Sequence, residues 1–510
     1  MKKFKLIIFI LLIISFMIVL FYGIFGVTIS FLSSKEIKAN RELKEDLINK
    51  IKINNLETVY DKQNNTYYYM VSEDYENSMY VLNLDLENGF KYKIVGETLN
   101  VIKVNYDKQI KIIIYNDKYY YETKIQLTNL PIISIISDED IGDTDIETKF
   151  KYINAGNEIK TIMENAKIHV RGASSRYFDK KSYRVDFYNK NYKNDKNVNI
   201  SDFYYGDSFV LDAIYRDPSK IRNLLSTELW NAISQDFTNI SINSEFVEVF
   251  INNEYKGLYV LTEPIKRKKL NLNKSASTDT SIIIKSKGWY TPEKNYDFSS
   301  ITDEFYLDYE LKYPNDEELY SKAWSSMLSK LSNYYNSSEK DSYEVIDSTW
   351  NMENYIDITI FNSFINNQDN QLVKNNYFYM KKLKDEKIFI QPWDMEYSFG
   401  MSYYVPNERN ILIILNDYNK IYTKFEHKNS PEINKLLIDR YWELRKSVLT
   451  KEYFDDLLDK YKDELSKGSA KRDSKKWYEY DVEKEIEDIR IWIYNRLDYF
   501  DHYVESLENE

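Results

Sequence analysis

Two aspartates, Asp369 and Asp394, stand near the two ends of the stretch NNQDNQLVKNNYFYMKKLKDEKIFIQPWDMEYSFG, residues 366–400. Asn375 and Asn376 follow the first closely, and Glu396 lies two residues after the second. Carboxylate and amide oxygens are the hard donors that magnesium takes alongside water and phosphate. A carboxylate within reach of a hydroxyl can also orient or accept its proton. Between the acids the text reads strand, turn, strand: NYFYMKK, LKDEK, KIFIQPW. Upstream, TWNMENYIDITIFNSFINN puts Met352, Ile356, Ile360 and Phe364 on one helical stripe that ends just before Asp369.

Helix, acid, Asn, hairpin, acid is the order in the catalytic half of protein kinases. There the first Asp serves the acceptor hydroxyl, while the Asn and the second Asp hold the metal on the nucleotide phosphates. On that reading Asp369 is catalytic, and Asp394 and Asn375 are metal ligands. The pattern departs from the usual one: neither HRD nor DFG surrounds the acids, and Asn375 follows Asp369 by six residues, where about five is customary. Glu396 is either a further oxygen ligand or a surface acid. Solvated acids at the ends of a hairpin would give the same pattern.

A nucleotide half would have to lie upstream. KIHVRGASSRYFDKKSYRVDF, residues 167–187, reads strand, Gly-Ser turn, strand. Gly172, Ser174 and Ser175 offer N–H and hydroxyl donors, with Arg171 and Arg176 as cations. Lys180 and Lys181 open the second strand, where a phosphate-pairing lysine would sit; a tight turn with surface arginines is the plainer alternative. DPSKIRNLLSTELWNAIS, residues 217–234, starts a helix with Ile221, Leu224, Leu225, Leu229 and Ala232 on its apolar side. From that helix Glu228 either reaches back to the lysine or stays a surface acid. EFVEVFINNEYKGLYVLTEPI, residues 245–265, is a hairpin turning at Asn-Asn and running into Glu263-Pro264, a hinge-like break whose backbone would meet an adenine edge.

These segments recur in one fixed order. RGASSRYFDKKSYRVDF, NEYKGLYVLTEPI, NQDNQLVKNNYFYM and QPWDMEYSFG together resemble the spore coat protein H (CotH) kinase family, over roughly residues 131–410 plus the tail. The resemblance implies an atypical protein-kinase-like α+β fold that uses ATP and Mg2+ or Mn2+ to phosphorylate Ser or Thr of a spore-coat or cell-surface protein. It assigns Asp369 as the catalytic acid, Asp394 and Asn375 as metal ligands, and Lys181 as the phosphate-pairing lysine. Arg171, Ser174, Ser175, Glu228 and Glu263 join the nucleotide site. The sequence departs from the family pattern at Glu396, where a second Asp is usual, at Ala173 in the Gly-Ser loop, and at Asn253 in the hairpin turn.

The remainder of the chain sets the frame. Its 510 residues and 43% hydrophobic content suffice for two or three domains and a sizeable core. A net charge of −12 argues against nucleic acid as the partner. With no cysteine, thiolate metal sites, disulfides and a lipoprotein anchor are excluded, and three scattered histidines, His169, His427 and His502, exclude a zinc protease pair. Residues 6–34 carry no charge, longer than a helix needs to cross a bilayer. They predict a retained single-pass signal anchor with the N-terminus inside and the body extracytoplasmic; Lys35, Lys38, Arg41 and Lys44 blur the charge bias. The expected organisation is 1–34 tail and anchor, 35–130 stalk and small antiparallel β-sandwich, 131–415 kinase-like domain, and 416–510 a helical subdomain. The last shows Pro431 at a helix start and Ile486, Ile489, Ile493, Leu497, Phe500 and Val504 on one face. Two alternatives remain: a non-catalytic membrane-anchored coat or surface scaffold that keeps the fold, and a surface-binding protein working through its β module.

Overall fold

The computed structural model describes residues 41–42, 51–401 and 430–508, apart from 87–88, 98, 156–158, 174, 202–203, 239, 275–280, 287–308, 315–326, 328, 332, 335–336, 340–341, 368–369, 371–375 and 382–386. The apolar stretch 6–34 therefore lies outside the described residues. Among those described, no helix is long and apolar enough to cross a membrane.

The N-terminal module is built on a sheet of β1 (Val59–Asp61), β2 (Thr66–Met70), β3 (Lys91–Ile94), β4 (Gln109–Tyr115) and β5 (Tyr119–Thr128), in the order β1-β2-β5-β4-β3. It is not the all-antiparallel sandwich that the sequence suggests: β5 pairs with β2 in parallel, Lys124 opposite Thr66. The stalk expected before it is also partly strand, since Lys52–Ile53 pairs with both Leu56–Glu57 and Leu84–Asp85. Every residue of β2, TYYYM, is buried. Tyr67 and Tyr69 enter the module's own core, while Tyr68 and Met70 join Ile132, Ile153, Phe250 and Tyr255 of the next unit. The Tyr68 ring stacks on Tyr255 at 5.2 Å. A strand buried on both faces explains a tyrosine run without polar alternation, and it fastens the module to the body.

That next unit is a closed barrel of β6 (Ile132–Ser137), β7 (Ile146–Ala155), β8 (Ile159–Arg171), β9 (Ser182–Tyr188), β10 (Ser208–Asp212), β11 (Ser244–Ile251) and β12 (Glu254–Thr262). Its order is β6-β7-β8-β9-β10-β12-β11, and β6 closes the ring by lying parallel to β11, Ile132 opposite Glu248. The β11–β12 hairpin turns on Asn252 and Asn253 with φ of 52° and 60°. Two consecutive positive φ values mark the type I′ turn whose twist suits a hairpin, and asparagine tolerates them.

Between β10 and β11 runs α1 (Arg222–Thr238). Its start is fixed by Asp217, which accepts from the Arg222 amide at 2.9 Å, the Ser219 amide at 3.0 Å and the Arg222 guanidinium at 2.6 Å. A second sheet follows, β13 (Ile282–Ser286), β14 (Tyr309–Tyr313), β15 (Asn376–Met380) and β16 (Phe389–Pro392), ordered β14-β13-β15-β16. The expected hairpin is its β15–β16 pair, with Asn376 opposite Pro392.

Helix α2 (Tyr343–Thr349) precedes α3 (Met352–Ile365), the predicted helix before Asp369. It buries every residue from Asn354 to Ile365 rather than one stripe. It packs against α1, strand β16 and α4 (Pro431–Leu444), and its Phe364 meets Phe454 of α5 (Lys451–Ser466) and Arg496 of α7 (Val482–Glu508), while α6 (Ser469–Lys476) packs on β12. Pro431 occupies the first turn of α4, and the six apolar residues anticipated on α7 are all buried. They share one hydrophobic core with α1, α3 and the second sheet.

Candidate active site

Strand alternation decides what the two sheets show each other. On β8 to β10, Ile168, Val170, Tyr183, Val185, Phe187, Phe209 and Leu211 fill the barrel, so His169, Arg171, Ser182, Arg184, Asp186, Ser208 and Asp212 point outward. On the second sheet Ile282, Ile284, Tyr309 and Phe378 enter the main core, which turns Ile283, Lys285, Glu310, Lys312 and Tyr377 the other way. These two outward faces line a cleft of about 1220 Å³, completed by residues 263–269 after β12 and by Trp393, Asp394, Glu396 and Tyr397 after β16. Ligand pockets typically run to roughly 300–1,000 Å³, so there is room for a nucleotide together with part of a second substrate.

Asp394 enters this cleft from a turn in which its own φ is +63°. Few side chains accept that conformation, and aspartate is among them. The next residue is held in place: the Met395 amide donates to Asn223 Oδ1 at 3.0 Å, and Asn223 Nδ2 donates to Asp212 Oδ2 at 3.3 Å. One side chain on the first turn of α1 thus ties Asp212 to the backbone that follows Asp394. Ser182 Oγ and the Ile214 amide also donate to Asp212, at 3.3 and 3.2 Å.

Burial pushes the Asp212 carboxyl above its ordinary value, opposed by Arg171 and reinforced by Asp394. Glu396 is raised well above the carboxylate range, by burial first and then by Asp394, Asp212 and Asp217, with Arg216 opposing. Lys285 is lowered to about 8, chiefly by burial and next by Arg171, against the pull of Asp394.

The cleft gathers some of the residues expected from the sequence. Arg171 and Ser175 line it, with the Arg171 guanidinium 5.9 Å from the centre of the Trp393 ring. Glu263 lines it too, but its carboxylate is occupied by the Asn243 amide at 2.8 Å, Asn243 Nδ2 at 3.0 Å and Lys269 at 2.5 Å. Its work is to shape the turn after β12.

Lys181 is not among the lining residues. Its ammonium donates to the carbonyls of Arg176, at 2.8 Å, and Phe178, and so closes the Gly-Ser loop on itself. Lys181 precedes the first residue of β9 and belongs to the loop it closes, not to the strand face that lines the cleft. Lys180 is buried against Asp473 of α6 at 2.7 Å. Glu228 does not meet Lys181 either, since it lies near Tyr453 and Tyr461 of α5, whose phenols are raised by burial first and by Glu228 next.

Asp369, Asn375 and Ser174 fall outside the described residues. Asn370, next to Asp369 in sequence, donates to the carbonyl of Trp393, next to Asp394, at 3.0 Å.

Asp212 and Lys285, which line the cleft, and Asn223, which supports it from α1, were not picked out from the sequence. Lys285 had a readable signal, a single cation in the strand SIIIKS, and Asp212 ends the apolar strand SFVLD.

Among the described residues no three His, Asp or Glu side chains converge closely enough to hold a metal ion. Asp394 and Asp212 are hard oxygen donors of the type magnesium uses singly or in pairs when phosphate and water fill its other positions. This donor set fits a metal that arrives with its nucleotide.

No curated protein matches the chain in sequence. The family profile described as CotH kinase protein matches residues 168–500, well over half of the chain, and spans the outer β8–β10 wall, α1, the second sheet and most of α7. The chain belongs to the CotH kinase protein family.

Proposed function

We propose that the cleft binds ATP with a divalent cation and transfers its γ-phosphoryl group to a Ser or Thr hydroxyl of a protein substrate, a spore-coat or cell-surface protein. The acceptor oxygen bonds to the γ-phosphorus, the bond from that phosphorus to the β,γ-bridging oxygen breaks, and ADP leaves with the electron pair. Asp369 orients the acceptor hydroxyl and takes its proton. Asp394, with Asp212 behind it, would hold the cation that offsets the phosphate charge; Asn375 would complete the set. The observation that carries this reading is the position of Asp394, set by a left-handed turn into a cleft whose walls bring Arg171 and Lys285 beside it. Phosphoryl transfer asks mainly for positioning and charge compensation of that kind.

In this reading the segment 6–34 anchors the protein in a membrane with its body on the extracytoplasmic side, a placement that supplies ATP only if that side is an enclosed compartment such as one around a forespore. Protease treatment of intact cells tests the side.

The experiment is to incubate the full-length protein with magnesium or manganese and labelled ATP. Asp394→Asn is expected to lose metal-dependent ATP binding and transfer together. Asp369→Asn is expected to keep binding while turnover falls by roughly two to four orders of magnitude. Normal phosphorylation by both variants would remove the assignment. A scaffold that keeps the fold without the reaction draws support from Glu396, which stands where the family shows Asp. Failure of ATP to raise the melting temperature of the parent protein would favour it.

A further inference from the structure

The cations of the cleft are not equivalent. Arg184 is neutralised by Asp186 at 2.9 Å, Lys266 by Asp207 at 2.7 Å, Lys269 by Glu263 at 2.5 Å and Lys312 by Glu310 at 2.6 Å. Two that face inward are different. Neither Arg171, at the end of β8, nor Lys285, on β13, makes an ion pair or hydrogen bond among the described residues.

Lys285 has two strand neighbours. Glu310, opposite it on β14, is already taken by Lys312, and Tyr377, opposite it on β15, offers only a ring 5.8 Å from the ammonium. Arg171 and Lys285 also repel each other, and the acid that attracts Lys285 most is Asp394. A half-buried ammonium left without an acceptor, beside a guanidinium in the same state, is costly unless an anion joins them. Once Asp394 is engaged by a cation, no described residue of the cleft is left to supply that anion.

We propose that Lys285, not Lys181, is the phosphate-pairing lysine, and that it grips the polyphosphate of the nucleotide from the second sheet while Arg171 grips it from the barrel. The ligand then bridges the two walls. A guanidinium forks onto two phosphate oxygens and an ammonium acts as a point charge, so the pair divides a chain of phosphates between them. Lys181 keeps a structural task, holding the Gly-Ser loop closed. The proposal rests on the ATP reading of the cleft, but it concerns phosphate rather than base recognition or transfer.

The test is calorimetric titration of the full-length protein with ATP, inorganic tripolyphosphate and adenosine, each with magnesium. Lys285→Met is expected to weaken ATP and tripolyphosphate at least roughly tenfold, the usual scale for a charge-assisted contact to phosphate, and to leave adenosine unchanged. Unchanged adenosine binding shows that the variant is folded. Lys285→Arg should recover most of the loss, and Lys181→Ala should bind tripolyphosphate as the parent does. Parent-like tripolyphosphate binding by Lys285→Met overturns the inference and leaves the ATP reading standing. A parent that binds neither ATP nor tripolyphosphate overturns both.

Discussion

The junction between the barrel and α6 makes a quantitative test of the fold. Asp473 is 1% exposed and the side chains of Lys180 and Lys220 are 0% exposed. Its Oδ1 accepts from Lys180 at 2.7 Å and from the Leu258 amide at 2.9 Å; its Oδ2 accepts from the Tyr480 hydroxyl at 3.0 Å and lies 3.8 Å from Lys220. Asp473→Ala strands two buried cations and an amide, and removing one partner of such a group costs about 3–5 kcal/mol. Asp473→Asn keeps the acceptor for Leu258 and loses only the charge, so it should cost less.

The pH dependence has a definite sign. Burial holds Lys220 at about 8, against the attraction of Asp473 and helped by Lys180, below its ordinary 10.5. Between those values the unfolded chain binds a proton that the folded chain has lost, so stability rises with pH across that window. The gap amounts to roughly 3 kcal/mol in all. Without Asp473 the folded lysines lose protons at still lower pH. The penalty of Asp473→Ala should therefore be largest near pH 7 and narrow by about pH 9.5. Urea unfolding at the two pH values measures both quantities. A cost under about 1 kcal/mol at neutral pH, or one that does not shrink on the alkaline side, refutes the reasoning.

Other outcomes follow from single positions. Glu396 binds a proton when folded that the unfolded chain releases above its ordinary 4.5, so its contribution falls as pH rises from there; Glu396→Gln should raise the melting temperature at about pH 7 and lose the advantage near pH 4. Gly400 has φ +82°, and a Cβ there would stand 2.7 Å from Cδ1 of the buried Trp492; Gly400→Ala should cost about 2–4 kcal/mol by urea unfolding. Asn253 sits at φ 60° in the β11–β12 turn; Asn253→Gly should be neutral or stabilising by up to about 1 kcal/mol, and Asn253→Val destabilising, in a thermal melt.

Local features were legible because their causes are local. The β15–β16 hairpin, the Asn-Asn turn, the start of α1 and the buried face of α7 follow from turn chemistry, capping and spacing over a few residues. Ring closure of the barrel was not legible. It depends on β6 meeting β11 across more than a hundred residues of chain, and nothing in either strand names its partner. The parallel pairing of β5 with β2 was missed for the same reason, since alternation reads alike in both directions.

The helix before Asp369 was found, yet its stripe was too narrow, because packing on all sides comes from elements far away in sequence. In the cleft, order along the chain pointed to Arg171 and Asp394, and both line it. Lys181 does not line it, because its ammonium folds back onto carbonyls of its own loop, a local closure that spacing does not reveal.

The alternation that builds the cleft also separates two kinds of inheritance. Residues that line the cleft and residues that fill the core occupy alternate letters of the same strands, so a truncation at Arg171 or Lys285 removes a side chain from the cleft and not from the core. One letter along, at Val170, Leu211 or Ile284, truncation falls on a buried side chain and costs about 2–5 kcal/mol. On the proposed reading of the cleft, descendants of such a chain can exchange its lining residues, and with them the reaction, while the core that folds it is kept. Catalytic competence in a member of this family has to be sought in the outward letters, because the inward ones will look the same in an enzyme and in its silent relative.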